Sequence, residues 1–158
     1  MLNRIFPERF GNHYRGHKFA LWLFYPLVFM QVAIALVAIF ARDGGAQSAD
    51  GIPLDTFASG GAEAVIGVVA FLGLAKLLLD SLFVLALFRY RAMIPLMYVL
   101  ILVDHLGHKG IGLMKPIVRD GASSGSFVSM ALIALSIIGL VLSLTGRGYS
   151  PRQESESA

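Results

Sequence analysis

The sequence predicts an all-α integral membrane protein, a four-helix transmembrane bundle with the N-terminus and the C-terminus both cytoplasmic. Three observations predict it. Hydrophobic residues make up 56% of the 158 residues, and mean hydropathy is +0.72, more apolar surface than a small soluble domain can bury. These residues fall into four long blocks, each with roughly the 20 residues needed to cross a bilayer core. The basic residues gather on one side of the blocks, as cytoplasmic segments require.

Residues 1–18 read as a cytoplasmic, interfacial segment. Phe6, Phe10 and Tyr14 alternate with Arg4, Arg9, Arg15, Lys18, His13 and His17. Such a mixture suits the membrane surface, where basic side chains meet anionic lipid head groups. Its length, and that of the apolar run after it, speak against a signal peptide.

Residues 19–145 form the predicted transmembrane domain. The first helix is expected at about 19–41, interrupted only by Pro26 and Gln31. Lipid offers no hydrogen bonds to the backbone, so each span is read as a helix. The loop from Arg42 to Gly61, rich in Gly, Ala, Ser and Asp, reads as solvated, with a short turn near Ile52-Pro53-Leu54. The second helix, about 62–88, contains Lys76 and Asp80. The third, about 92–114, contains Asp104, His105, His108 and Lys109. The fourth, about 127–145, has no charge, and Ser126 is its expected N-cap. Residues 146–158 form a polar cytoplasmic tail.

The charges orient the bundle. Arg4, Arg9, Arg15 and Lys18 precede the first helix, Arg89 and Arg91 lie in the link between the second and third, and Arg147 and Arg152 lie in the tail. The first long loop has Arg42 against Asp43, Asp50 and Asp55, and the last loop has Lys115 and Arg119. This bias places both ends and the Arg89-Tyr90-Arg91 link on the cytoplasmic side. Trp22, Tyr25, Phe88 and Tyr90 gather at the same interface. A bacterial inner membrane is the expected location.

The short link makes the second and third helices an antiparallel hairpin. Counting outward from Tyr90, Lys76 shares the depth of Asp104, Gly73 that of Gly107, and Ala70 that of Gly110. The expectation is a Lys76–Asp104 ion pair with Asp80 one turn from Lys76, and close packing of Gly73 on Gly107 beside Gly110. A lone charge at mid-bilayer costs roughly 2.5–3.5 kcal/mol, so pairing offsets much of the penalty. The pair is read either as a lock between two helices or as part of an ion path.

Asp104, His105, His108 and Lys109 form a polar stripe on the third helix. Asp104, His105 and His108 are the candidate metal ligands, but Lys109 opposes a cation, and no metal is assigned. A bis-histidine haem needs a second histidine on a facing helix, and the other three spans carry none. His13 and His17 have the spacing of a helical pair but lie roughly 20 Å along a helix from the depth of His105.

The absence of cysteine removes disulfides, thiolate metal sites and thiol redox chemistry. A net charge of +3 with no basic run argues against nucleic acid as a partner. The first span lacks the embedded glutamate on which small multidrug transporters rely. Three functions remain as expectations. The first is a non-enzymatic accessory or assembly subunit of a larger membrane complex, in the lipid bilayer with other membrane subunits or further copies of itself. The second is a small oligomeric transporter or proton- or ion-conducting protein using Lys76, Asp80, Asp104 and His105. The third is a redox protein with a quinone or another cofactor at His105 or His108. No cofactor is assigned.

Overall fold

The computed structural model describes residues 14, 16–119 and 123–145. Among these residues there are four long helices and no strand: α1 (Lys18–Phe40), α2 (Ser59–Phe88), α3 (Ile94–Met114) and α4 (Ser124–Thr145). All four are long and apolar enough to cross a membrane, and they turn large apolar side chains outward, among them Phe71, Leu113 and Phe127. An exterior of this kind needs lipid as its solvent. The predicted all-α class, a bundle of four membrane-length helices, is therefore the observed one. The expected tail at 146–158 and most of the segment at 1–18, including His13, lie outside the described residues.

Two of the helices, α1 and α4, begin where a polar side chain takes one of their first amides. His17 caps α1, its Nδ1 accepting the Phe19 N–H at 3.2 Å. At α4 the cap is Ser123, not Ser126: the Ser126 N–H donates to Ser123 Oγ at 3.2 Å. Ser126 therefore stands in the first turn that Ser123 closes. Pro95 lies in the first turn of α3, where its missing N–H leaves no bond unmade. A single 3-10 turn, Arg91–Met93, joins α2 to α3.

The loop after α1 is folded, not merely solvated. Gly44 and Gly45 adopt φ +61° and +81°, left-handed values natural to glycine. Asp43 holds the turn, accepting from Gly45 N at 3.1 Å and from Ser48 N at 2.7 Å. Ala46 and Leu54 are buried beneath it, and Leu54 opens the 3-10 turn Leu54–Thr56.

The core lies toward the end of the bundle that holds the α2–α3 link. Phe24 and Leu27 of α1, Phe83 of α2, and Ile94, Tyr98 and Ile101 of α3 are fully buried there or nearly so. Phe24 and Tyr98 meet edge to face with centroids 5.1 Å apart. Gly139 of α4 makes room, since a Cβ on it would strike the Tyr98 ring. Tyr98 donates its hydroxyl to the Ala20 carbonyl at 2.7 Å. Tyr14 packs against this core instead of lying on the surface, and burial pushes its phenol pKa up.

At the other end the bundle opens. α1 packs along α2 and α4, and α3 along α4, but α2 and α3 meet only sparsely. From Leu106 to the end of α3 not one residue is buried.

Candidate functional site

Each helix carries polar side chains into the middle of the bundle. α1 brings Gln31, α2 brings Lys76 and Asp80, α3 brings Asp104 and His105, and α4 brings Ser129 and Ser136. Asp104 is the midpoint of α3. Gln31, Asp80 and Ser136 are fully buried, and His105 is nearly so. No hydropathy argument would place them there, so each must be accounted for by its partners.

Lys76 is the hub. Its Nζ lies 3.4 Å from Asp104 Oδ2 and 3.6 Å from Asp80 Oδ1. The first contact crosses from α2 to α3, and the second is one helical turn along α2. The Asp104 carboxylate also meets His108 Nδ1 at 3.3 Å. His108 Nδ1 is closer still to the Asp104 carbonyl, at 2.9 Å, so the ring folds back along its own helix.

His105 points the other way, into the bundle. Its Nε2 lies 3.2 Å from Gln31 Oε1, and its Nδ1 lies 3.4 Å from Ser129 Oγ. An amide oxygen can only accept, so the arrangement assigns the proton to Nε2 and leaves Nδ1 to accept from the serine hydroxyl. Both ring nitrogens are engaged. Lys109 Nζ leans on Met130 Sδ of α4 at 3.0 Å.

The structure thus brings Lys76, Asp80, Asp104 and His108 into one charged group and sets His105 in a second, neutral one. Asp104, His105 and His108 do not converge, and among the described residues no three His, Asp or Glu side chains could share a metal ion. The cause is the helix itself: neighbouring positions 104 and 105 face different elements, α2 and α1.

The glycine pairing expected between α2 and α3 is not formed. A Cβ on Gly73 would lie 2.7 Å from Ala38 Cβ and 3.1 Å from the Ala35 carbonyl, so Gly73 packs on α1. Around Gly107 and Gly110 there is nothing within 4 Å of such a Cβ. The short link fixes which helices follow one another, but the turn at Arg91–Met93 sends α3 away from α2 as the two leave it.

Gln31, Ser129 and Ser136 also belong to this polar layer, a role the sequence does not assign to them. The signal for Gln31 was its isolation in an apolar block. The two serines gave none, because serine is common in transmembrane helices.

The chain matches no known family model, no curated protein and no solved structure.

The site's chemistry is that of its own side chains. The charged group can hold two helices together and can gain or lose a proton. The His105 group can orient a hydrogen-bond chain from α1 through α3 to α4.

Proposed function

We propose that this chain is a non-enzymatic accessory or assembly subunit of a larger membrane complex. One observation carries the reading: no residue of α3 from Leu106 onward is buried in the chain, and its one side-chain bond to another helix there is that of Lys109 to Met130. Leu106, Ile111, Leu113 and Met114 are exposed, which lipid alone would explain. The same turns also hold Gly107 and Gly110 with open space before them, and His108 with 71% of its side chain exposed. Glycine lets a second backbone come close, and the His108 ring, bonded within the chain through Nδ1 to Asp104, still turns polar surface toward hydrocarbon, which is costly. A helix of another subunit, or of a second copy, would satisfy both. The partner is a membrane helix and not nucleic acid.

The distribution of Arg and Lys supports cytoplasmic placement of both ends and of the Arg89–Arg91 link. A bacterial inner membrane is consistent with that bias. The reading needs no cofactor.

The test is a photoreactive residue at Gly110, with a second at Val141 on the lipid-facing side of α4 as control. Irradiation in the native membrane should join a polypeptide at position 110 and lipid at position 141. Lipid at both positions would overturn the reading.

A second reading, a small proton- or ion-conducting protein, is favoured by the exposure of the mid-span charges. Lys76 and Asp104 are 18% and 20% exposed where α2 and α3 part. It predicts flux in liposomes that Asp104→Asn abolishes.

A further inference from the structure

Asp80 is fully buried, and neither of its carboxylate oxygens takes part in a hydrogen bond. Among the described residues its one ion-pair contact is Lys76 at 3.6 Å, on its own helix, and that ammonium lies closer to Asp104, at 3.4 Å. One lysine therefore faces two carboxylates. His108 does not correct the balance at Asp80, because its ring nitrogen is turned to Asp104. His105 is spent on Gln31 and Ser129. The other elements in the layer, α1 and α4, present only Gln31, Ser129 and Ser136, none of which ionises. With both aspartates ionised and the histidines neutral, the group would hold a buried net negative charge, which a low-dielectric interior disfavours.

The register of α1 on α2 supplies the second observation. Gly73 packs on Ala38. Two helical turns toward the link end, α2 reaches Asp80 and α1 reaches Gln31, on the same faces and at the same level. Gln31 is fully buried, and its Nε2 donates to nothing, while its Oε1 is occupied by His105. A donor without an acceptor thus stands level with a carboxyl group without a donor.

We propose that Asp80 is a proton-binding site, with the Gln31 amide as the neighbouring donor to its carbonyl oxygen. This goes beyond the accessory role and does not depend on it. The reaction is Asp80 carboxylate plus a proton from water giving the carboxylic acid: one O–H bond forms and no electron moves. The proton enters by the side where α2 and α3 part, past Lys76 and Asp104. Asp104 remains the carboxylate partner of Lys76.

The experiment is pH-difference infrared spectroscopy of the full chain in liposomes. The wild type should show the carbonyl band of a buried carboxylic acid that fades as pH is raised. Asp80→Asn should lack the band at every pH, and Asp104→Asn should keep it only to lower pH, because Lys76 is then left to Asp80 alone. Lys76→Met should hold the band to higher pH, because no ammonium remains to favour the carboxylate. Gln31→Leu should move its frequency, which gives a readout even if Asp80→Asn does not fold. A wild type without such a band would overturn the proposal. So would a band lost in Asp104→Asn but kept in Asp80→Asn, or one left unmoved by Gln31→Leu. A band removed by sodium at constant pH would assign the site to a metal cation and overturn it as well.

Discussion

Lys76 and Asp104 meet at 3.4 Å across two helices that otherwise touch little. The contact is the mid-span tie between α2 and α3, which the Arg91–Met93 turn joins at one end only. Packing contributes little to holding these helices together, so the ion pair carries a larger share than it would in a close-packed hairpin.

Removing the lysine should therefore harm the fold more than removing either acid. Lys76→Met strands Asp80 and leaves Asp104 with His108 alone. Breaking a buried pair in this way costs up to about 3–5 kcal/mol, reduced here by the partial exposure of both heads. Asp104→Asn leaves Lys76 with Asp80 and should cost less. Lys76→Met combined with Asp104→Asn should be milder than the sum of the two single changes, since the second removes a charge the first left without its lysine. Unfolding in mixed micelles would measure all three. Equal losses for the two single variants would refute the hub role of Lys76.

Glycines on α2 and α3 should answer substitution in opposite ways. Gly73→Leu drives a side chain into Ala38 and the Ala35 carbonyl, and overpacking of that kind costs about 1–3 kcal/mol. Gly107→Leu meets open space and should change the stability of the isolated chain by less than about 0.5 kcal/mol. Thermal unfolding of the purified chain separates the two. If the α3 face receives another subunit, Gly107→Leu should still weaken its co-purification from the native membrane.

The same contrast shows what the sequence could and could not reveal. Block length identified all four spans, because an apolar run of that length has no other use in a chain this small. The observed starts at Ser59 and Ser124 precede the expected ones by a turn, since helical hydrogen bonding continues past the end of the apolar run into small residues, as far as Ala58 in α2 and the Ser123 cap in α4. The Lys76–Asp104 contact was legible because two opposite charges in lipid have few other ways to be satisfied. The partner of Gly73 was not: α1 and α3 are equally apolar, and only the direction in which the link turns α3 decides between them. Gln31 stood out as a lone polar residue, yet its pairing with His105 depends on α1 and α3 approaching across the bundle, which no spacing in the chain encodes.

Tyr98 and Gly139 form a matched pair in the core. Gly139→Ala places a methyl against the Tyr98 ring and should pull the hydroxyl from the Ala20 carbonyl. Tyr98→Phe removes the hydrogen bond alone and should cost about 0.5–1.5 kcal/mol. The glycine change should cost more than this, because it disturbs the edge-to-face contact with Phe24 as well. Tyr98→Leu should relieve part of the Gly139→Ala defect by vacating the ring's space. A double variant no better than Gly139→Ala alone would show that the strain lies elsewhere.

Asp43 should make the loop after α1 sensitive to acid. Its carboxylate accepts the Ser48 N–H at 2.7 Å and the Gly45 N–H at 3.1 Å. These bonds, the one from Ser48 foremost, hold its pKa down to about 2 from an ordinary 3.8. A depressed pKa means that the folded loop favours the ionised group. The contribution is therefore complete above about pH 4, diminishes below the unfolded value and is lost as pH falls through about 2. In acid, the amides of Gly45 and Ser48 should lose their protection from exchange together. Asp43→Ala should abolish that protection at neutral pH, whereas Asp43→Asn should keep part of it, since an amide oxygen still accepts. The helices should be unaffected by either change, because the loop's buried residues, Ala46 and Leu54, are few beside the core around Phe24 and Tyr98. Retention of both protected amides in Asp43→Ala would show that the left-handed turn at Gly44 and Gly45 holds the loop without the carboxylate.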